Sequence, residues 1–302
     1  MANLALQQQA SVPLNPGWYL WIHRILLGLA IATLFLMGLG SATRVMNAGL
    51  ACPDWPLCYG QLVPLGEMDL QVFLEWFHRL VASSVGLITV VLTGLGWWQR
   101  RVLPAWFPGM MTFALGLVMF QGGLGGLTVT ELLRFDIVTA HLGTGLLFFS
   151  TLLVMAMLLW PYQGLQTAGA LPWWGGTAAL LVYLQSLLGG LVASRWALHQ
   201  CLGGSQLCFV MNSHILGVLP ASLATLLVGV LTWRTAALHP ALRQLASLAG
   251  ALLLLQITLG VATFRLHLQV EPLTVAHQVV GAALLGTLIS FTVLGLRDRT
   301  PA

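Results

Sequence analysis

The sequence predicts an all-α polytopic membrane protein, with eight transmembrane helices arranged as two tandem, pseudo-symmetric four-helix bundles. Three observations predict it. Of the 302 residues, 58% are hydrophobic and only 7% charged, where a soluble domain carries about 25% charge; mean hydropathy is +0.89. Eight apolar runs each approach the ~20 residues that cross a bilayer core. Polar residues inside those runs recur at a fixed spacing: His78 and His214 are 136 residues apart, and so are His141 and His277. No barrel-length segment alternates with a strand period, which argues against an outer-membrane barrel.

The runs cover about 18–40, 72–98, 107–127, 137–160, 173–192, 212–233, 242–263 and 273–295. The first is too long for the core of a secretory signal and has a weakly charged front. It reads as an anchor that stays, rather than a leader cut near Ser41-Ala42. The second opens on Glu75-Trp76-Phe77-His78-Arg79, a carboxylate, an imidazole and a guanidinium at the mouth of a membrane helix. Burying such groups in hydrocarbon costs several kcal/mol, so the default reading is functional. The third, fourth and fifth runs carry Gly122-Gly123 with Gly125-Gly126, Ala140-His141 and Gly189-Gly190. With no strand before them to build a phosphate loop, the glycine clusters read as close helix packing. His214 and His277 mark the sixth and eighth runs, and Gln256 with Gly260 the seventh. His23, His199, His239 and His267 are unmatched and read as interfacial or loop residues. Tryptophans such as Trp97-Trp98 and Trp173-Trp174 flank the runs as interface anchors do.

All twelve basic residues are arginine, and they set the orientation. With the N-terminus inside, Arg24, Arg100, Arg101, Arg234, Arg243, Arg297 and Arg299 face the cytoplasm with Asp298 as the only acid. The other side holds the remaining acids with Arg44, Arg79, Arg134, Arg195 and Arg265. Positive-inside bias then puts both termini in the cytoplasm and the four paired histidines near the outer surface of the cell membrane. The net charge of +4 sits singly at helix ends, which is no nucleic-acid footprint.

The halves repeat. Phe73 and His78 align with Phe209 and His214; Ala140-His141 and Gly145 align with Ala276-His277 and Gly281. Gln121, Leu124 and Gly125 align with Gln256, Leu259 and Gly260. Residues 1–166 and 167–302 therefore read as parallel copies of one four-helix unit.

Two histidines per half, on the second and fourth helices, can face each other across a bundle core. Iron porphyrin suits that site, because two imidazoles bind axially and the apolar macrocycle fills space between helices. Zinc would want further ligands. The C-terminal half has Met211 and Ile215 where the N-terminal half has Glu75 and Arg79, so it offers two histidines without a carboxylate, as a bound electron-transfer haem needs. Glu75 could move protons or stabilise a developing cation; its plain reading is a helix N-terminal acid favoured by the dipole. Arg79 could pair with Glu75, a lipid phosphate or a haem propionate, and Arg44 and Arg195 are further charge or propionate candidates. The outer loops hold Cys52 with Cys58 and Cys201 with Cys208. Close spacing favours those two pairings as structural disulfides in an oxidising compartment, over a redox-active thiol pair or a zinc site with His199.

Gly40-Ser41-Ala42-Thr43-Arg44, Ala48-Gly49-Leu50-Ala51-Cys52-Pro53-Asp54-Trp55-Pro56-Leu57-Cys58-Tyr59-Gly60 and Glu75-Trp76-Phe77-His78-Arg79 together resemble the haem A synthase family. The eight-helix duplication and four histidines extend the resemblance over nearly the whole chain. One departure is Val45-Met46-Asn47-Ala48, where the family more often has Leu-Thr-x-Ser. The resemblance implies an oxidoreductase that converts haem O to haem A by successive hydroxylations of a ring methyl. It implies haem b iron held by His214 and His277, substrate haem iron held by His78 and His141, and Glu75 as catalytic carboxylate. Dioxygen, an external electron donor, and a prenyltransferase supplying haem O follow as partners beside the lipid bilayer, in the service of cytochrome oxidase biogenesis. A homo-oligomer is compatible with the sequence. The competing readings are a membrane b-type cytochrome taking electrons from quinol and a non-enzymatic haem carrier or assembly factor. A prenyltransferase is disfavoured, because the membrane helices contain no paired Asp.

Overall fold

A computed structural model describes residues 16–193, 206–266 and 269–299. They form eight long helices: α1 Pro16–Val45, α2 Leu70–Trp98, α3 Trp106–Thr130, α4 Phe135–Leu159, α5 Leu171–Ala193, α6 Gln206–Arg234, α7 Pro240–Arg265 and α8 Glu271–Arg299. All eight are long and apolar enough to span a bilayer. Among the described residues there is no strand, only an isolated bridge between Cys58 and Gln61.

Local chemistry sets the helix ends. Asp69 caps α2 by accepting from the Val72 amide at 2.8 Å, and the His239 ring accepts from Ala241 at the start of α7, beside a proline in the first turn that needs no partner for its nitrogen. α1 runs on past Gly40 to Val45, because no breaker intervenes before Asn47, whose φ of 59° ends it. That extension brings Arg44 onto the helix. α6 starts about six residues earlier than its hydropathy suggested and tolerates Pro220 inside it. Thr33, Thr89 and Thr225, buried within the spans, donate to the carbonyl one turn back, so their hydroxyls are not left unpaired.

Helices α1 to α4 form a closed ring of neighbours, each packing on the next and α4 returning to α1; α5 to α8 do the same. The rings meet through α4 and α8, with α1 against α8 and α5 against α4. The two central helices have 72% and 67% of their spans buried, against 17–39% for the other six. At their crossing a Cβ on Gly286 would lie 2.8 Å from Leu153 and from the Phe149 ring, so only glycine lets them approach.

The linker between halves is fastened by the end of α8. Asp298 accepts from the amides of Leu165, Thr167 and Ala168 at 2.8–2.9 Å and from the Tyr162 hydroxyl at 3.0 Å. Burial, with Asp298 beside it, pushes the Tyr162 phenol pKa up. Arg297 donates to the carbonyls of Met157 and Trp160 at 2.6 and 2.8 Å. The sequence marked Asp298 only as the lone cytoplasmic acid; its structural work is to hold the linker. His23, read as an interfacial or loop residue, lies within α1 and is buried, with Nδ1 2.8 Å from the Ala156 carbonyl on α4. A single imidazole in an apolar run carries no mark of which helix face it occupies. His199 and His267 lie outside the described residues.

Candidate functional site

The four repeated histidines occupy matched places. His78 lies eight residues past Leu70 and His214 eight past Gln206; His141 lies six past Phe135 and His277 six past Glu271. Each imidazole rests on a glycine of the preceding helix. A Cβ on Gly40 would meet His78 Cε1 at 2.9 Å, one on Gly125 would meet His141 at 3.4 Å, and those on Gly189 and Gly260 would meet His214 and His277 at 2.9 Å. Gly125 and Gly189 thus serve ring seats as well as helix packing. Gly122 and Gly123 contact nothing within reach of a Cβ, so close packing does not explain them.

A glutamine one turn before the glycine supports three of the four histidines, two of them at the ring and one at its carbonyl. Gln121 Nε2 donates to the His141 carbonyl at 2.8 Å; Gln185 Nε2 lies 3.0 Å from His214 Nδ1 and donates to its carbonyl; Gln256 Nε2 lies 3.3 Å from His277 Nε2. Gln121 and Gln256 in turn pack on Gly145 and Gly281, the aligned glycines of α4 and α8. Sequence reading paired those two glutamines but missed Gln185. The recurrence Gln-x-x-x-Gly at 121–125, 185–189 and 256–260 could have found it; the first helix breaks it with Leu36 before Gly40.

Within the first ring of helices, His78 and His141 face each other with ring centroids 6.5 Å apart and planes tilted 57°. Two imidazole nitrogens on one metal ion lie about 4 Å apart, which such a separation accommodates. His214 and His277 stand at the matching positions of the second ring, on the glycine seats of α5 and α7. Nδ1 of His78, His141 and His277 is buried and completes no hydrogen bond to protein. Among the described residues no three His, Cys, Asp or Glu gather into a cluster. Paired imidazoles, three of them with an unspent Nδ1 and each seated on a glycine, would suit holding the iron of a porphyrin between two helices.

The carboxylate stands beside only one pair. Glu75 is 4% exposed. Its Oε1 accepts from Arg79 at 2.6 Å and its Oε2 from the Cys52 amide at 2.8 Å. Arg79 also donates to the carbonyls of Asp54 at 2.7 Å and Leu57 at 2.5 Å. Of the partners weighed for Arg79, the carboxylate is therefore the one observed. Cys52 and Cys58 form a disulfide and are both buried. Loop, disulfide, Glu75 and Arg79 are one hydrogen-bonded unit, which spacing along the chain could not reveal. Met211 and Ile215, at the matching places on α6, bring no charge, and Ile215 is exposed.

Residues 23–289 match the COX15-CtaA family, described as cytochrome oxidase assembly protein. The chain belongs to this family. A haem A synthase of Shewanella oneidensis is 27% identical over 320 residues, covering 89% of this chain and 94% of that protein. One from a Chelativorans species is 30% identical over 208 residues, 58% of this chain and 57% of that protein. A protohaem IX farnesyltransferase of Halobacterium salinarum is 33% identical over 133 residues, 43% of this chain but 28% of its own length.

The family match spans all four histidines, Glu75 and the Cys52–Cys58 loop. Arg44 lies at the boundary between halves, its guanidinium 3.3 Å from Gln278 Oε1, with Nε buried and unpartnered. Gln278 follows His277 directly and donates to the Met37 carbonyl, so it ties α8 to α1. Nothing in the repeat pointed to it. Arg195 and Cys201 lie outside the described residues; Cys208 opens α6, but its side chain is not among those described.

Proposed function

We propose that this chain is a haem A synthase, oxidising a ring methyl of haem O to a formyl group. The observation that carries the reading is the asymmetry between matched histidine pairs. Both halves offer two half-buried imidazoles on glycine seats, and only the first adds a buried carboxylate one turn away. Family membership over residues 23–289 and the similarity to a haem A synthase along 94% of its length support it.

His78 and His141 would hold the substrate haem, in residues 1–166. His214 and His277 would hold haem b, in residues 167–302. Haem b bound there would supply one-electron storage between an external donor and the first half. Each hydroxylation inserts one oxygen atom of dioxygen into a methyl C–H bond and reduces the other to water, consuming two electrons and two protons. A second round gives the geminal diol, which loses water to leave the aldehyde. Glu75 is the group of this chain suited to pass those protons or to orient water at the substrate edge. Arg79 and the Cys52 amide fix its two oxygens, so it is pre-set rather than free to wander. Arg44, with donors to spare, suits a propionate. The loop with Cys52–Cys58 would face the oxidising side of the plasma membrane, with both termini cytoplasmic. The substrate comes from a prenyltransferase that farnesylates protohaem.

Co-expression with such a prenyltransferase, followed by pigment extraction, tests the reading. Wild type should yield haem A or hydroxylated haem O, and Glu75→Ala should return haem O unchanged. Haem b alone in every variant would instead make the protein an electron carrier, and unaltered haem O in wild type would make it a haem carrier.

A further inference from the structure

We propose that Trp55 closes the outer mouth of the substrate site in the first half and sets how fast a porphyrin leaves it. This rests on His78 and His141 being the substrate pair.

The loop that carries Trp55 is braced on both sides of it. Arg79 holds the carbonyls of Asp54 and Leu57, the residues bracketing Trp55-Pro56. The Asp54 carboxylate accepts from the amides of Tyr59 and Gly60 at 2.6 and 2.8 Å, and the disulfide closes the base. Trp55 is thereby projected away from α2 on a fixed platform. Its indole lands on α3: a Cβ on Gly126 would lie 3.2–3.3 Å from three indole atoms. Gly126 is buried, and its neighbour Gly125 is the seat of His141. The start of the loop is fastened in the same way, with Gly49 beneath Leu133 from the α3–α4 turn. The loop therefore runs from the α2 end of the His78–His141 site to its α3–α4 end.

Trp55 remains 49% exposed although it rests on a buried glycine. One face of a large apolar ring is spent on α3 and the rest is available to a flat apolar ligand, where an indole stacks well. The second half lacks the seat. Its residue at the place of Gly126 is Val261, which is 55% exposed, and a branched side chain there leaves no room for an indole at that distance. A substrate must leave after turnover and a cofactor must not, so a cover that yields is needed over the first pair alone.

The test uses the full-length protein in lipid nanodiscs, loaded with ferric protohaem and chased with excess apomyoglobin. Trp55→Ala and Gly126→Val should each speed release of the exchangeable haem by roughly three- to tenfold, the range expected for losing one aromatic contact. Trp55→Phe should stay near wild type, and the tightly held second haem should be unmoved. Release at the wild-type rate in both variants would overturn the proposal, as would equal acceleration at both sites, which would mark general loosening. His78→Ala separates the two layers: if the exchangeable haem survives that change, the assignment of the substrate pair falls, whatever Trp55 does.

Discussion

The N-terminal ends of α2 and α6 carry the same imidazole at the same depth on the same kind of glycine seat, yet their surroundings diverge within one turn. Around His78, a carboxylate, a guanidinium and a disulfide loop lock together. Around His214, the matching positions are Met211 and an exposed Ile215, while Gln185 grips the histidine itself. The lesson is one of division. The second half spends its polar contacts on holding its histidines still. The first keeps Gln121 for His141 but gives His78 no glutamine, and spends its other polar groups on an acid and the disulfide loop. Under the proposed assignment, a site that keeps its ligand and a site that works on one have different neighbours on one scaffold.

The sharpest way to break this comparison is to remove a ligand from each side. His277→Ala should abolish the haem that survives purification, read as loss of its absorbance, while His78→Ala should leave that absorbance intact. Equal losses from both variants would end the division of labour. Next in size, Glu75→Gln should lower conversion of haem O by about 10²- to 10⁴-fold, the usual reach of a positioned proton-transfer group, with the bound haem spectrum unchanged; turnover near wild type would remove Glu75 from the chemistry. Third, Arg79→Ala leaves a buried carboxylate unpaired and should cost about 3–5 kcal/mol, seen as a lower unfolding temperature in detergent, whereas Ile215→Ala, exposed on the matching turn, should cost well under that. Smallest is a contrast between glycine seats. Gly125→Ala meets His141 at ordinary contact distance, while Gly260→Ala would press on His277 at 2.9 Å. The second should shift the absorbance of the tightly held haem and the first should leave the spectra nearly unchanged.

How far the sequence reached differs between fold and site. Eight apolar runs sufficed for eight helices, because an unsatisfied backbone in lipid leaves few alternatives to a helix. The repeat of His, Gln and Gly foretold which side chains share an environment, since matched spacing on matched helices returns matched faces. The Cys52–Cys58 pairing was legible from proximity along the chain. Glu75 was among the partners weighed for Arg79, but the carbonyls of Asp54 and Leu57 were not, because only the loop's path brings them within reach of the guanidinium. The contact of His23 with α4 was illegible for a related reason: one polar residue without a repeat gives no face.

By itself the sequence determined the membrane class, the helix count and the identity of the four imidazoles and the lone acid beside them. All of these follow from composition and periodicity, which are local properties. The tertiary structure alone decided that α4 and α8 lie at the centre, that Asp298 fastens the linker, and that one loop joins Glu75 to α3 through Arg79 and Trp55. Those contacts join residues far apart in the chain through main-chain carbonyls and bare glycine backbone, groups that every residue or any glycine offers, so no pattern of side chains announces them.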